Sequence, residues 1–191
     1  MTRKVSVNKG TLILLAPDAK NADVSSKNVA FTFQFNPDKL QHTFNQPPPS
    51  PQGVEQTSAS QGSTIELFNL TFELDNIDVD STSQNTELGL HPTLAMLELM
   101  MQPQTVGKQT VMPIVVFSWG AKRAVPVRVV NMGVEEESFD ATLNPMRATV
   151  NLCLRVLDAV EVNSNAGAKS IYLSHQSTLS LIHISEPTRP Y

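Results

Sequence analysis

Hydrophobic residues recur at every second position over much of this chain, the period of a strand whose two faces meet different surroundings. The clearest case starts at Thr64: Glu66, Phe68, Leu70, Phe72 and Leu74 share one side, while Ile65, Leu67, Asn69, Thr71 and Glu73 share the other. The first set predicts a long core-facing strand. Leu12–Leu15 and Val29–Phe35 read as shorter strands, the second with Phe31, Phe33 and Phe35 on one face, and Lys39–Phe44 as another. Val111–Trp119, Ala124–Glu137 and Met146–Val156 complete the set, the last turning Met146, Ala148, Val150, Leu152, Leu154 and Val156 inward. One segment changes period. In His91–Met101 the residues Leu94, Leu97 and Met101 follow Leu90 at helical spacing, with Pro92 acceptable in the first turn and Pro103 beyond the end. A helix this short gains its stability by packing, here against an edge or face of the sheet.

Between these elements stand residues that break them. Asn36-Pro37-Asp38 stops a strand because proline lacks an amide donor and biases its predecessor away from helix. Gly120-Ala121-Lys122-Arg123 predicts a tight turn with Gly120 at positive φ, and Leu143-Asn144-Pro145 a second turn. Gln46–Gly62, with its run of prolines, glutamines and serines, is too poor in apolar residues to offset its ordering entropy alone, and reads as a loop that orders on a partner. Asp75–Asp80 gathers carboxylates but lacks the glycine and the later glutamate of a calcium loop, so it reads as a solvated turn. Glu161–Lys169 reads as a linker. Strands punctuated by turns, with one helix, predict a mainly β protein: an antiparallel β-sandwich or barrel with one short α-helix.

Composition narrows the function. A net charge of −4 leaves no basic field to condense on phosphates, so no nucleic-acid partner is expected. No apolar run approaches the roughly 18 residues that span a bilayer, so no membrane insertion is expected. The single Cys153, inside Val150–Leu154, admits no intrachain disulfide and reads as a small buried hydrophobe suited to a reducing cytoplasm. The histidines His42, His91, His175 and His183 have no zinc-ligand spacing, and no Gly-x-Ser-x-Gly or glycine-rich loop entering a helix is present. No catalytic residue, metal or cofactor is therefore assigned. Glu135-Glu136-Glu137 alternates faces along a strand and reads as a solvated, aggregation-resistant stretch, with one carboxylate pairing Arg147 across the turn.

Three phrases carry a resemblance. Phe33-Gln34-Phe35-Asn36-Pro37, the strand end Phe117-Ser118-Trp119-Gly120, and the strand start Asn144-Pro145-Met146-Arg147-Ala148 after Glu137-Ser138-Phe139 together resemble the tube-like proteins of contractile injection systems, the machines related to phage tails. The resemblance spans roughly residues 31–158. It implies a tail-tube type of β fold in residues 1–160, a structural role without substrate turnover, and self-assembly into a ring, taken as a hexamer. Closest are the baseplate adaptors that join spike hub and inner tube and carry a following LysM domain, through which alone a peptidoglycan contact would arise. Implied partners are further copies of the chain and tube, spike-hub and baseplate proteins, with assembly in the cytoplasm. Structural or interface roles fall on Phe35, Asn36, Pro37, Trp119, Gly120, Phe139, Asn144, Pro145 and Arg147.

Trp119 leaves alternatives open: a sugar-stacking platform, an interface anchor, or a core plug. A carbohydrate or small-ligand binding sandwich is accordingly the rival reading. Arg147 is read as satisfying a turn carbonyl or carboxylate rather than a neighbouring subunit. Residues 161–178 read as a linker or the start of a truncated LysM domain, and Leu179–Tyr191 resembles the in-frame translation of a sequencing adapter, so this tail is set apart from fold reasoning.

Overall fold

A computed structural model of the chain describes residues 8–21, 28–46, 64–76, 88–120 and 122–183. Among the described residues, nine strands and two α-helices are formed: β1 Thr11–Leu14, β2 Val29–Thr32, β3 Leu40–Asn45, β4 Ile65–Asp75, α1 His91–Leu99, β5 Gln104–Val106, β6 Gln109–Val111, β7 Val115–Trp119, β8 Arg123–Phe139, β9 Pro145–Val156 and α2 Ala166–His183. Seven strands form one sheet in the order β2-β1-β7-β8-β9-β4-β3, and every neighbour is antiparallel. The short β5–β6 hairpin stands apart and turns at Gly107.

The alternation read from the sequence sets which face is buried. Phe68, Leu70, Phe72 and Leu74 of β4 meet Ala148, Val150, Leu152 and Leu154 of β9, then Val125, Val127 and Val129 of β8, Val115 and Phe117 of β7, and Leu12 and Leu14 of β1 in one cluster. Each of the larger side chains contributes about 1.5–3 kcal/mol by leaving water. The sheet curls around this cluster. Although four strands separate β2 from β4, Phe31 lies 5.6 Å and Phe33 lies 4.9 Å from Phe72, ring centre to ring centre. Among the described residues no strand ladder closes the roll; the β2–β4 seam is bridged by a side chain. Gln34 donates from Nε2 to the Asp75 carbonyl at 2.7 Å and accepts the Asp75 N–H on Oε1 at 2.9 Å. One carboxamide thus satisfies both backbone groups that a neighbouring strand would have paired. Helix α1 lies by the same opening and adds Leu94 and Leu97, with flanking Leu90 and Met100, to the interior.

The fold departs from the sequence reading in several places. Strand β2 ends at Thr32, so Phe31 and Phe33 are buried while Phe35 is 47% exposed. The run Val111–Trp119 is two strands, because Pro113 cannot donate to a ladder. A second helix replaces the expected linker: a 3-10 turn at Glu161–Ser164 leads into α2, whose start is capped by Asn165 Oδ1 accepting the Ala168 N–H at 3.0 Å. The same Asn165 donates to the Ala16 carbonyl, and Gly167 donates to that of Ala19. Val162 and Ala168 then join Leu15, Val116 and Leu157 in a second core on the outer face of the sheet. Cys153 points outward and is half-buried rather than buried, and partial burial pushes its thiol pKa up.

Candidate assembly surfaces

The strand-breaking phrases each have a structural reason. Asn36 accepts the Gly10 N–H on Oδ1 at 2.9 Å and donates to the Asn8 carbonyl at 3.0 Å, so the turn before β3 is clamped to the segment preceding β1. Pro37 lies in the stretch that leads from this clamp to β3. Gly10 passes directly beneath aromatic rings: a Cβ there would lie 2.7 Å from both Phe33 and Trp119. Trp119 packs against Phe33 and Phe117, with centroids 6.0 and 5.8 Å away, so the indole is part of the core's rim. Gly120 has φ of 69°, as the turn into β8 requires.

Around Arg123, at the start of β8, a mixed aromatic and cationic surface forms. The Arg123 guanidinium stands 5.6 Å over the Phe68 ring, His42 stacks on Phe68 at 4.2 Å, and Phe44 lies 4.3 Å from His42. His42 Nε2 also contacts Glu66 Oε1 at 2.7 Å. Phe44 is 60% exposed on this face, while the exposed Ile65, cross-strand partner of Asn45, faces the other side of the sheet, and Lys122 precedes Arg123 as a second exposed cation.

The other end of β8 is the tip of the β8–β9 hairpin. Asp140 holds that turn: Oδ1 accepts the Thr142 N–H at 2.8 Å, the Thr142 hydroxyl at 2.8 Å and the Asn144 N–H at 2.9 Å, while Oδ2 accepts Asn144 Nδ2 at 2.9 Å. These donors, the Asn144 side chain foremost, lower the Asp140 pKa to about 2. Sequence reading missed this device, although Asp-x-Thr-x-Asn is a legible turn signal. Leu143 sits inside the cage at φ of 65° and is 77% exposed. Pro145 is buried and its carbonyl accepts the Leu90 N–H at 2.8 Å, so the hairpin base is tied to the start of α1. Phe139 and Leu88 are exposed beside it. Arg147 does not bond the Glu135–Glu137 run as expected. Its Nε and Nη2 donate to Asp75 Oδ2 of β4 at 3.2 and 2.8 Å, because Asp75 is its cross-strand partner; this hydrogen bond, then the charges of Asp75, Glu73 and Glu137, raises the arginine pKa.

Between the ends, the outward face of β3, β4, β9 and β8 forms an open groove of about 860 Å³ lined by Asn69, Thr71, Asn131, Asn151 and Cys153 among others. Near α2, Glu161 binds Arg128 at 3.0 Å and Arg155 through both carboxylate oxygens. Burial pushes the Glu161 pKa up, but the Arg155 hydrogen bond, the Asp158 N–H and both guanidinium charges outweigh it and hold the carboxyl below its ordinary value. Among the described residues no cluster of three His, Cys, Asp or Glu could hold a metal ion, and no helix is long and apolar enough to cross a membrane. Most of Gln46–Gly62 and of the Asp75–Asp80 turn lies outside the described residues.

The structure thus gathers the singled-out residues at two places: Asn36, Pro37, Trp119 and Gly120 lie near the start of β8, and Phe139, Asn144, Pro145 and Arg147 near its end. A family model, the contractile injection system tube protein, matches residues 6–163. The chain belongs to this family. No curated protein matches it. As a contractile injection system tube-family protein, it is a structural component of a phage-tail-like particle and assembles with other parts of that machine. The described fold fits that assignment, since all three phrases of the resemblance serve packing, turns or the seam.

Proposed function

We propose that the chain is a ring-forming adaptor subunit at the baseplate end of the particle, joining spike hub to inner tube and turning over no substrate. The observation that carries this reading is the bare edge of β3. Among the described residues β3 pairs only with β4, and Leu40–Asn45 contains no proline, lysine or bulge to guard its outer side. A neighbouring copy that adds a strand there makes a heterologous contact, which closes into a ring by rotation. The ring is taken as six copies assembled in the cytoplasm, residues 1–160 as its tube-like domain, and peptidoglycan contact as a matter for a LysM unit following it. Gln46–Gly62, directly after β3, is the segment proposed to order on the neighbour.

Native mass measurement and negative-stain imaging of the full chain test this. Closed rings are expected, and the Gln41→Lys/Thr43→Lys double variant should stay folded yet monomeric, because lysines on an edge strand oppose the addition of another strand. A wild-type chain that is monomeric at every concentration overturns the proposal.

A further inference from the structure

Among the described residues the roll of the sheet stops short of closing, and the backbone on both sides of the seam faces the gap. On one side the β3 ladder ends with Leu40 opposite Leu70, while β4 runs on to Asp75. Asn76 donates its N–H to the Met146 carbonyl on the β9 side, and Asp75 turns its own N–H and carbonyl the other way, where Gln34 meets both. Strand alternation turns the backbone groups of Glu73 the same way as those of Asp75. On the other side β2 pairs only with β1 among the described residues. Phe33 donates to the Gly10 carbonyl, toward β1, so Ala30 and Thr32 turn their backbone groups toward the seam.

A cavity of about 340 Å³ lies between these edges, walled by Ala30 and Thr32, by Leu74, and by Leu90, Thr93 and Met96 at α1. None of its lining residues is charged. Its size falls in the range of ligand pockets, on the order of 300–1,000 Å³. Gln34 shows what chemistry fits the seam. Its carboxamide carries a donor and an acceptor on one carbon, as a peptide group does, and makes with Asp75 the two bonds that a strand residue would make. A side chain can serve as the bridge because two strands flanking a missing one stand about 10 Å apart, whereas directly paired strands bond backbone to backbone. Gln34 takes the place of one residue; Glu73, Thr32 and Ala30 have no strand partner there among the described residues.

We infer that the seam is a docking slot for one extended segment of a partner protein, which adds a strand between β2 and β4 and displaces the Gln34 carboxamide. Recognition is by strand addition, with main-chain bonds for affinity and side-chain pockets for choice. The slot has a wall on each side, so it takes a single linear segment and not the edge of a folded sheet. The uncharged lining selects an uncharged segment, since a charge would lose its hydration there, and the need for each amide excludes proline. Apolar residues at every second position would face Leu90 and Met96. The slot is independent of the ring contact proposed at β3, which is the strand at the opposite end of the sheet order.

The experiment gives the full-length chain a fluorescent, end-blocked hexapeptide of alternating threonine and valine, reading affinity by anisotropy and location by hydrogen exchange. Saturable binding is expected, with slower exchange at Ala30, Thr32 and Glu73 as their amides gain acceptors. The same probe with prolines in place of its valines should not bind. Gln34→Ala removes the competing carboxamide and should tighten binding about fivefold. Thr93→Trp, at a half-buried position of α1, fills the slot and should weaken binding about tenfold or more; it serves as the test if Gln34→Ala loses its fold. No binding to the wild type, equal binding of the proline probe, indifference to Thr93→Trp, or protection confined to Leu40–Asn45 each overturns the inference. All four leave the ring reading intact, and a chain that forms no ring can still bind the probe.

Discussion

Strand β8 has two halves that share one hydrogen-bond ladder with β9 and little else. In the first, Val125, Val127 and Val129 are buried between β7 and β9; in the second, every residue from Glu135 to Phe139 is exposed. The pairing shifts register between Val129 and Asn131, where the buried half gives way to the projecting one. Backbone pairing therefore continues well past the end of the core. The first half holds the molecule together, and the second carries charge and a caged apolar tip away from it. A buried and an exposed stretch thus share a single strand.

This division can be broken from either side. The largest effect is expected in the buried half: Phe117→Ala, which empties a site packed by Phe68 and Trp119, should destabilise the fold by about 3–5 kcal/mol in denaturant titration. A loss below about 1 kcal/mol would mean that the rolled sheet does not depend on its interior as described.

A smaller effect is expected where α2 is riveted to the sheet. Glu161→Gln removes the charge shared by Arg128 and Arg155 and should cost about 1 kcal/mol after solvent screening. The sign with pH follows from the lowered pKa of Glu161. Its contribution is fully present above the ordinary carboxylate range and is lost as pH falls through the folded value, so wild type and variant should converge in acid. Convergence at high pH instead would refute the pairing.

The smallest effect on global stability belongs to the tip. Asp140→Ala should leave the melting temperature nearly unchanged while hydrogen exchange at Thr142 and Asn144 accelerates, because their amides lose their acceptor. In wild type the same protection should persist down to about pH 2, where Asp140 takes up its proton. A large fall in melting temperature would show that the tip belongs to the core after all.

The period-two pattern was enough to assign β4, β8 and β9 and their inward faces, because a buried face imposes its alternation wherever the strand runs. It also located α1, where the period changes, and the turns at Gly120 and Asn144, where backbone geometry demands particular residues. Reading Val29–Phe35 as one strand failed at Phe35, since alternation continues in the sequence after the chain has bent away. Helix α2 was read as a linker because Asn163-Ser164-Asn165-Ala166-Gly167 favours turns locally, yet Asn165 acts as its cap and Ala168 packs into the apolar cluster of Leu15, Val116 and Leu157.

Local chemistry in the sequence therefore determined the strands, their buried sides and the membership of a structural family. The roll of the sheet, the Gln34 bridge to Asp75, the pairing of Arg147 with that same Asp75, and the opposition of two unlike ends were decided only in three dimensions. The reason is that each joins residues far apart in the chain, and a pattern of neighbours carries no record of which distant strand will arrive beside it.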